Sequence, residues 1–189
     1  YQIEKERAGS YQIEVLAKSK EHEVPITLRF QELRDEQMQP AHGELPFFLQ
    51  ENTVIQFLQY PYEQVVAENF VEILEKMELI NDLSCYEEIY GILKKEALDG
   101  RKVEQQIIEI GTKRELFFGK DRLDTVLHYK DYTYMKRKWT AYLKRERKKE
   151  PDWVEVMTLL EAFFPPVWRA IIRDEIFIGD WMPELCRFL

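Results

Sequence analysis

Residues 60–90 read YPYEQVVAENFVEILEKMELINDLSCYEEIY, and within this stretch the sequence changes from the pattern of strands to that of helices. Pro61 suits the first turn of a helix, where the N–H that proline lacks has no partner in any case. Apolar residues then recur at i, i+4, i+7, i+8 and i+11, which makes one stripe along a helix: Val66, Phe70, Ile73, Leu74 and Met77. Ser84 followed by Glu87 is the capping-box pattern, so it predicts the start of a second helix.

Before residue 60 the apolar residues alternate with polar ones, as they do in strands. YQIEVL at 11–16 and VPITLRF at 24–30 predict a β-hairpin, and TVIQFLQY at 53–60 predicts a third strand. Residues 34–46 contain two prolines and a glycine, which is typical of a loop. The predicted fold is α+β, mostly α, with a small antiparallel β-sheet (the hairpin plus a third strand) followed by a helical bundle. We expect a β-rich part over 1–60 and a helical part over 61–189, packed together as one unit.

Two features near the C-terminus predict further boundaries. Pro165-Pro166 is expected to break the helix that starts at Pro151. Asp180 is well placed as the N-cap of a final helix over WMPEL, and this role accounts for its carboxylate without a metal ion. The two Cys and three His residues also lack the spacing of metal ligands, so the sequence predicts no metal site.

Composition limits the class of protein. At 189 residues, 45% of them hydrophobic, the chain is long enough to bury a core and is expected to form one domain or one domain with an appendage. No run approaches the roughly 18 apolar residues that span a bilayer, and the N-terminus has no signal-peptide core. We therefore expect a cytoplasmic protein with no membrane partner. The chain begins with Tyr1 rather than Met, so we expect a processed product or a piece of a longer protein.

Positive charge is concentrated in one segment. Residues 130–149 hold nine Lys or Arg and two acidic residues, a net charge of +7 in a chain whose net charge is -8. At about 100° per residue, one helix face carries Lys130, Tyr134, Arg137, Lys138, Ala141, Arg145 and Lys148. This face predicts contact with phosphate groups of a nucleic acid, with Tyr134 available to stack on a base. The alternative is a solvated helix face that balances the acidic remainder of the chain.

Three stretches carry a resemblance to a known family: YPYEQVVAENFVEIL from residue 60, INDLSCYEEIY from residue 80 and PVWRAIIRDEIFIGDWMPELCRFL from residue 166. They resemble the nucleotidyl transferase AbiEii/AbiGii toxin family of the polymerase-β-like superfamily. In that family a helix bears an Ala-Glu-Lys triplet, and a later Arg-Asp element precedes the next helix. Ala67-Glu68-Asn69 and Asn81-Asp82 stand at these elements. The resemblance therefore implies that Glu68, Asn69 and Asp82 are the catalytic positions.

Both elements depart from the family pattern. Asn69 replaces the lysine that gives a cation to the triphosphate, and Asn81 replaces the arginine, although Asp82 keeps the acid. The family's Gly-Ser motif with paired metal-binding acids precedes the hairpin, so we expect this chain to lack it. The resemblance implies Mg²⁺ and a nucleoside triphosphate for the intact family enzyme, and neither for this chain alone. Apart from the family, Glu68 is explained by a solvated acidic face and Asp82 by a helix N-terminus.

Two hypotheses about function remain open. The first is the C-terminal portion of a nucleotidyltransferase-like toxin, of the bacterial toxin–antitoxin or phage-defence type, that is inactive alone and has a tRNA and an antitoxin protein as partners. The second is a non-catalytic helical module that binds nucleic acid or a protein partner. The departures at 69 and 81 favour the second hypothesis for this chain, whereas the relatedness favours the first for the ancestral function.

Overall fold

The chain divides into two units, Tyr1–Gln39 and Pro40–Leu189. The computed structural model describes residues 2–7, 10–19, 22–31, 40–46 and 53–189. The first unit is an antiparallel sheet, and the second consists mainly of helices. The predicted fold class, α+β and mostly α, is therefore confirmed.

Three antiparallel strands form the sheet of the first unit, in the order β1 (Gln2–Arg7), β2 (Ser10–Ser19) and β3 (His22–Gln31). Ile13 of β2 lies opposite Leu28 of β3, and Val15 lies opposite Ile26. This register brings the alternating apolar residues of the two strands to one face of the sheet. The hairpin predicted from that alternation is confirmed.

A two-stranded antiparallel ribbon opens the second unit, formed by β4 (Ala41–Pro46) and β5 (Val54–Gln59). β5 confirms the strand predicted over 53–60, but it pairs with β4 and not with the predicted hairpin. The loop predicted over 34–46 is wrong for 41–46, and residues 34–39 lie outside the described ones. Gly43 pairs with Phe57, and a Cβ on Gly43 would lie 2.6 Å from that ring, so the glycine serves a close contact rather than a turn. The ribbon lies in the helical unit, whereas the domain boundary predicted between 60 and 61 stays a prediction.

Six α-helices follow in the described residues: α1 (Tyr62–Lys76), α2 (Ser84–Leu93), α3 (Gly100–Lys113), α4 (Lys120–His128), α5 (Thr133–Arg145) and α6 (Trp153–Arg173). α1 begins directly after Pro61 and buries the predicted stripe at Val66, Phe70, Ile73 and Leu74. It packs against α2 and α3, and α6 packs against α2, α3 and α4. One cluster of buried side chains joins all six helices. Among the described residues, no helix is both long and apolar enough to span a bilayer.

Pro165 and Pro166 lie inside α6, so the break predicted there is wrong. Each proline in a helix interior removes a backbone hydrogen bond and crowds the preceding turn, which costs about 3 kcal/mol. Large side chains are nevertheless buried on both sides of the pair, and Phe164 stacks on Phe70 with ring centroids 3.6 Å apart. Each such side chain contributes about 1.5–3 kcal/mol on burial, so packing keeps α6 continuous.

The C-terminal residues form strands instead of the predicted final helix. A three-stranded antiparallel sheet has the order β6 (Leu98–Asp99), β7 (Asp180–Met182) and β8 (Arg187–Phe188). Asp180 and Leu189 exchange two backbone hydrogen bonds of 3.0 Å, so the prediction of Asp180 as a helix N-cap is wrong. Trp181 accounts for the strand, because its ring is fully buried and its Nε1 donates to the backbone oxygen of Leu93 at 2.8 Å.

Candidate functional site

Glu68 and Asn69 lie on α1 and join it to two neighbouring helices. Glu68 is partly buried and forms an ion pair with Arg114, which follows the last residue of α3. Asn69 Nδ2 donates to Glu88 Oε2 on α2 at 2.9 Å and to Val65 O at 3.0 Å. Both side chains therefore make contacts that hold α1 against α2 and α3.

Asp82 precedes α2 and organises its first turn. Its Oδ1 accepts a hydrogen bond from the backbone N–H of Ser84 at 3.1 Å, and its backbone oxygen accepts one from Cys85 Sγ at 3.3 Å. α2 begins at Ser84 as predicted, but Leu83 occupies the N-cap position. The capping box at Ser84 is therefore wrong, and the carboxylate of Asp82 satisfies the helix N-terminus in its place.

A magnesium-bound triphosphate needs carboxylate oxygens that converge on one centre and can coordinate the ion. The carboxylate of Glu68 is instead paired with Arg114, and the amide of Asn69 is bound to Glu88. Asp82 uses Oδ1 to start α2. These contacts do not fit a metal–nucleotide site, so no catalytic step is derived from them. The Mg²⁺ and nucleoside triphosphate implied by the resemblance stay predictions.

The two ends of the predicted phosphate-binding face are used within the fold. Lys130 Nζ lies 2.8 Å from Glu161 Oε2 on α6. Lys148 Nζ lies 2.6 Å from Glu87 Oε1 on α2. Lys130 and Lys148 lie outside α5, in the segments that flank it, and each has a carboxylate partner on a helix of the fold.

The middle of that face is also partly used. Lys138 Nζ donates to the backbone oxygens of Glu78, at 3.1 Å, and of Ile80. Arg145 Nε lies 3.0 Å from Glu146 Oε1. Four of the six predicted phosphate-binding residues therefore have hydrogen-bond or ion-pair partners, and among the described residues the side chains of Tyr134 and Arg137 have neither.

A second side of α5, next to the predicted face, is also exposed to solvent. Six residues on this side line a shallow depression of about 360 Å³, and we call these six residues the outward face: Thr133, Lys136, Arg137, Thr140, Ala141 and Lys144. Its three cations, Lys136, Arg137 and Lys144, are the outward cations. Arg137 belongs to both faces, whereas Lys136 and Lys144 are binding candidates that the sequence did not single out. At about 100° per residue, the outward face is rotated roughly 80° from the predicted one.

The two faces differ in how far their side chains contact the rest of the fold. The buried side chains of α5 are Met135, Trp139, Tyr142 and Leu143. Beside this buried stripe, Lys138 reaches the chain at residues 78–80, and Tyr142 reaches α2. These contacts engage Lys138 of the predicted face, whereas Arg137 and Lys144 stay exposed. The apolar stripe is the signal that the sequence offers for the buried side of α5. It does not show on which side of the helix such long-range contacts form.

Two tyrosines fix carboxylates next to the basic segment. Tyr142 OH donates to Glu87 Oε2 at 2.5 Å, and Tyr129 OH donates to Glu78 Oε2 at 2.7 Å. Burial, and then the hydrogen bond to the carboxylate, raises the pKa of both tyrosines above its ordinary range. The hydroxyl of Tyr129 in turn lowers the pKa of Glu78. These bonds keep negative charge beside α5, so part of the positive charge of 130–149 is balanced inside the fold.

No family model, curated protein or solved structure matches this chain. The resemblance to the AbiEii/AbiGii family, with the tRNA and antitoxin partners that it implies, stays a prediction.

Proposed function

We propose that the unit Pro40–Leu189 is a non-catalytic module that binds the phosphate backbone of nucleic acid through the outward face of α5. The observation that carries this proposal is a set of cations without strong partners. Among the described residues, Arg137 and Lys144 form no ion pair, and Lys136 has only Asp131, at 3.7 Å. The side chain of Asp131 is 94% exposed, and such surface pairs contribute about 0–1 kcal/mol.

The outward cations follow the axis of α5. Lys136 and Lys144 are eight residues apart, which corresponds to about 12 Å along a helix. One strand of DNA carries a charge about every 3.4 Å of duplex axis, so this length spans about three phosphates. We therefore assign about three phosphate contacts to the outward face.

The lining of the depression favours a polyanion over the apolar centre of a protein interface. It consists of three cations, two threonines and one alanine. The centres of protein–protein interfaces are enriched in aromatic residues and depleted in charged ones. Phosphate groups, in contrast, are bound by Lys and Arg together with hydroxyl groups.

Three phosphate contacts give a defined salt dependence. Each contact releases a counterion, and the slope of log K against log salt is about -0.7 per contact for a single strand, so about -2 in total. Affinity is then expected to fall roughly 20-fold between 50 and 200 mM salt. This dependence is measurable by fluorescence anisotropy with a fluorescein-labelled RNA of about 20 nucleotides.

A charge-reversal variant tests the location of the site. The test variant replaces the three outward cations with Glu and is expected to lose at least about 20-fold in affinity at 50 mM salt, with a salt slope close to zero. The matched control makes the same change in net charge at three exposed cations elsewhere in the unit: Lys95, Arg101 and Arg169. The control is expected to bind within about threefold of the wild type.

Three results would contradict the proposal. The first is no RNA binding by the wild type at 50 mM salt. The second is an equal loss of affinity in the test and control variants, because the site would then depend on net charge alone. The third is equally tight binding of poly-L-glutamate, which would point to an acidic protein as the partner.

A further inference from the structure

We infer that the nucleic acid bound by α5 is single-stranded, with bases stacked on Tyr132 and Tyr134. This inference rests on the proposed function. Both side chains are 47% exposed, and their ring centroids lie 5.8 Å apart. Exposed aromatic rings beside cations are the surfaces on which proteins stack the bases of single strands. A duplex stacks its base faces within its own helix, so it cannot use these rings.

The two exposed rings continue a run that begins in the core. Tyr129 is buried, and its ring centroid lies 6.0 Å from that of Tyr132. Its hydroxyl is bound to Glu78 at 2.7 Å, and its backbone oxygen accepts from Trp153 Nε1 at 2.8 Å. The outer rings therefore have a fixed neighbour, which reduces the side-chain entropy lost when a base stacks on them.

Tyr134 also has a defined position relative to the cations. Lys138 Nζ lies 5.3 Å from the centroid of its ring while it donates to backbone oxygens of residues 78 and 80. A cation is attracted to the face of an aromatic ring, so Lys138 helps to hold the ring of Tyr134 in place. The hydrogen bonds keep Lys138 in this place, so the ring keeps its orientation.

Tyr134 and the outward cations lie along α5, and Tyr132 directly precedes this helix. Tyr134 precedes Arg137 by three residues, a spacing at which side chains on a helix are neighbours. Tyr134 precedes Lys144 by ten residues, or about 15 Å along the axis. A strand that stacks its bases at the N-terminal end of α5 thus places its following phosphates along the outward cations. This arrangement gives the strand a track of several nucleotides.

Removal of the rings has a measurable consequence. Loss of one aromatic stacking partner weakens single-strand binding by roughly 5- to 140-fold. The double variant Tyr132→Ala/Tyr134→Ala is therefore expected to lose at least about 10-fold in affinity for a single strand, with duplex affinity unchanged within about threefold. Tyr134→Phe keeps the ring and is expected to bind like the wild type. Phe117→Ala removes a ring that is 77% exposed elsewhere in the unit, and it serves as the matched control.

The experiment compares three ligands by fluorescence anisotropy at 50 mM salt: a labelled 12-nucleotide strand, its duplex, and the same strand with abasic sites in place of its bases. The wild type is expected to bind the normal strand at least about 10-fold more tightly than the abasic strand. The tyrosine double variant is expected to lose this preference. The comparison in the wild type needs no substitution, so it stands even if the double variant does not fold.

The outcomes separate this inference from the proposed function. Equal binding of all three ligands by the wild type, with loss only in the outward-cation variant, would overturn the stacking role and leave the phosphate site intact. Loss of binding in Phe117→Ala equal to that in the double variant would also overturn it. No binding of any ligand by the wild type would overturn both proposals.

Discussion

Glu87 connects α2 to α5, and the substitution Tyr142→Phe tests how far this connection stabilises the fold. The change deletes only the hydroxyl that lies 2.5 Å from Glu87 Oε2. The carboxylate is 21% exposed and keeps Lys148 Nζ at 2.6 Å, so its charge is not left unpaired. A hydrogen bond to a charged group contributes about 1.5–3 kcal/mol. We expect the lower end of this range because of the remaining ion pair.

The expected effect is a loss of about 1.5 kcal/mol in the free energy of unfolding. In a unit of about 150 residues, 1 kcal/mol shifts Tm by about 2–4 °C, so Tm is expected to fall by about 3–6 °C. Urea unfolding followed by tryptophan fluorescence measures the loss, because Trp139 stacks on the ring of Tyr142 with centroids 5.2 Å apart. A double-mutant cycle with Glu87→Gln isolates the pairwise energy, which is expected to be about 1 kcal/mol.

Glu87 also pairs with Lys148, so Lys148 is expected to stabilise the fold rather than to bind RNA. Lys148→Ala breaks a partly exposed ion pair, so it is expected to cost about 0.2–1 kcal/mol in stability and to leave RNA affinity within about twofold. Arg137→Ala removes a cation of the outward face and is expected to weaken RNA binding several-fold without loss of stability. A coupling energy near zero between Tyr142 and Glu87 would refute the structural role of the connection. Equal losses of RNA affinity in Lys148→Ala and Arg137→Ala would refute the assignment of Lys148.

Three further predictions concern stability and use urea unfolding. Phe70→Ala empties a fully packed site in α1 and is expected to lower the free energy of unfolding by about 3–5 kcal/mol. Phe117→Ala at the surface is expected to change it by less than about 0.5 kcal/mol. Similar losses in the two variants would contradict the assigned core. The raised pKa values of Tyr129 and Tyr142 keep both phenols neutral in the folded state, whereas the unfolded chain loses these protons at about pH 10. The contribution of the two phenols to stability is therefore expected to be constant below about pH 10 and to fall above it. The fall should be smaller when both tyrosines are replaced by Phe, and an unchanged fall would assign it to other groups. Asn69→Ala removes two hydrogen bonds of α1 and is expected to cost about 1 kcal/mol, so a fully stable variant would show that these bonds are not structural.

Local sequence patterns predict the helices of this chain because buried residues recur at helical spacing. The stripe of α1 is visible in the sequence, since Phe70 and Leu74 face the same core. The same patterns fail where residues distant in sequence decide the structure. Asp180 has the local features of a helix cap, but burial of Trp181 against α2 selects a strand. Pro165 has the local features of a helix break, but aromatic packing across α1 and α6 keeps the helix intact.

The candidate site shows the same limit at the level of single side chains. Composition locates the basic segment, and the apolar stripe shows which side of α5 is buried. Neither shows that Lys138 and Lys148 contact residues about 60 positions earlier in the chain. The sequence therefore points to the helix on which we propose the site and includes Arg137, but it also assigns binding to cations that pair within the fold. The lack of strong ion pairs at Lys136 and Lys144 follows only from the packed arrangement of the helices.

Some cations near α5, such as Lys148, are paired within the fold, whereas the outward cations are not strongly paired. This difference explains how a chain with a net charge of -8 can offer the phosphate site that we propose. A phosphate that captured Lys148 would have to displace Glu87 from a contact of 2.6 Å, so little binding energy would remain. Arg137 and Lys144 require no such exchange, because neither has a carboxylate partner among the described residues, and Lys136 has only the exposed Asp131. Charges on the acidic remainder act weakly at this face, since the Debye length is about 8 Å at physiological ionic strength. The potential near α5 therefore depends on the charges close to this helix, the outward cations among them, more than on the net charge of the chain.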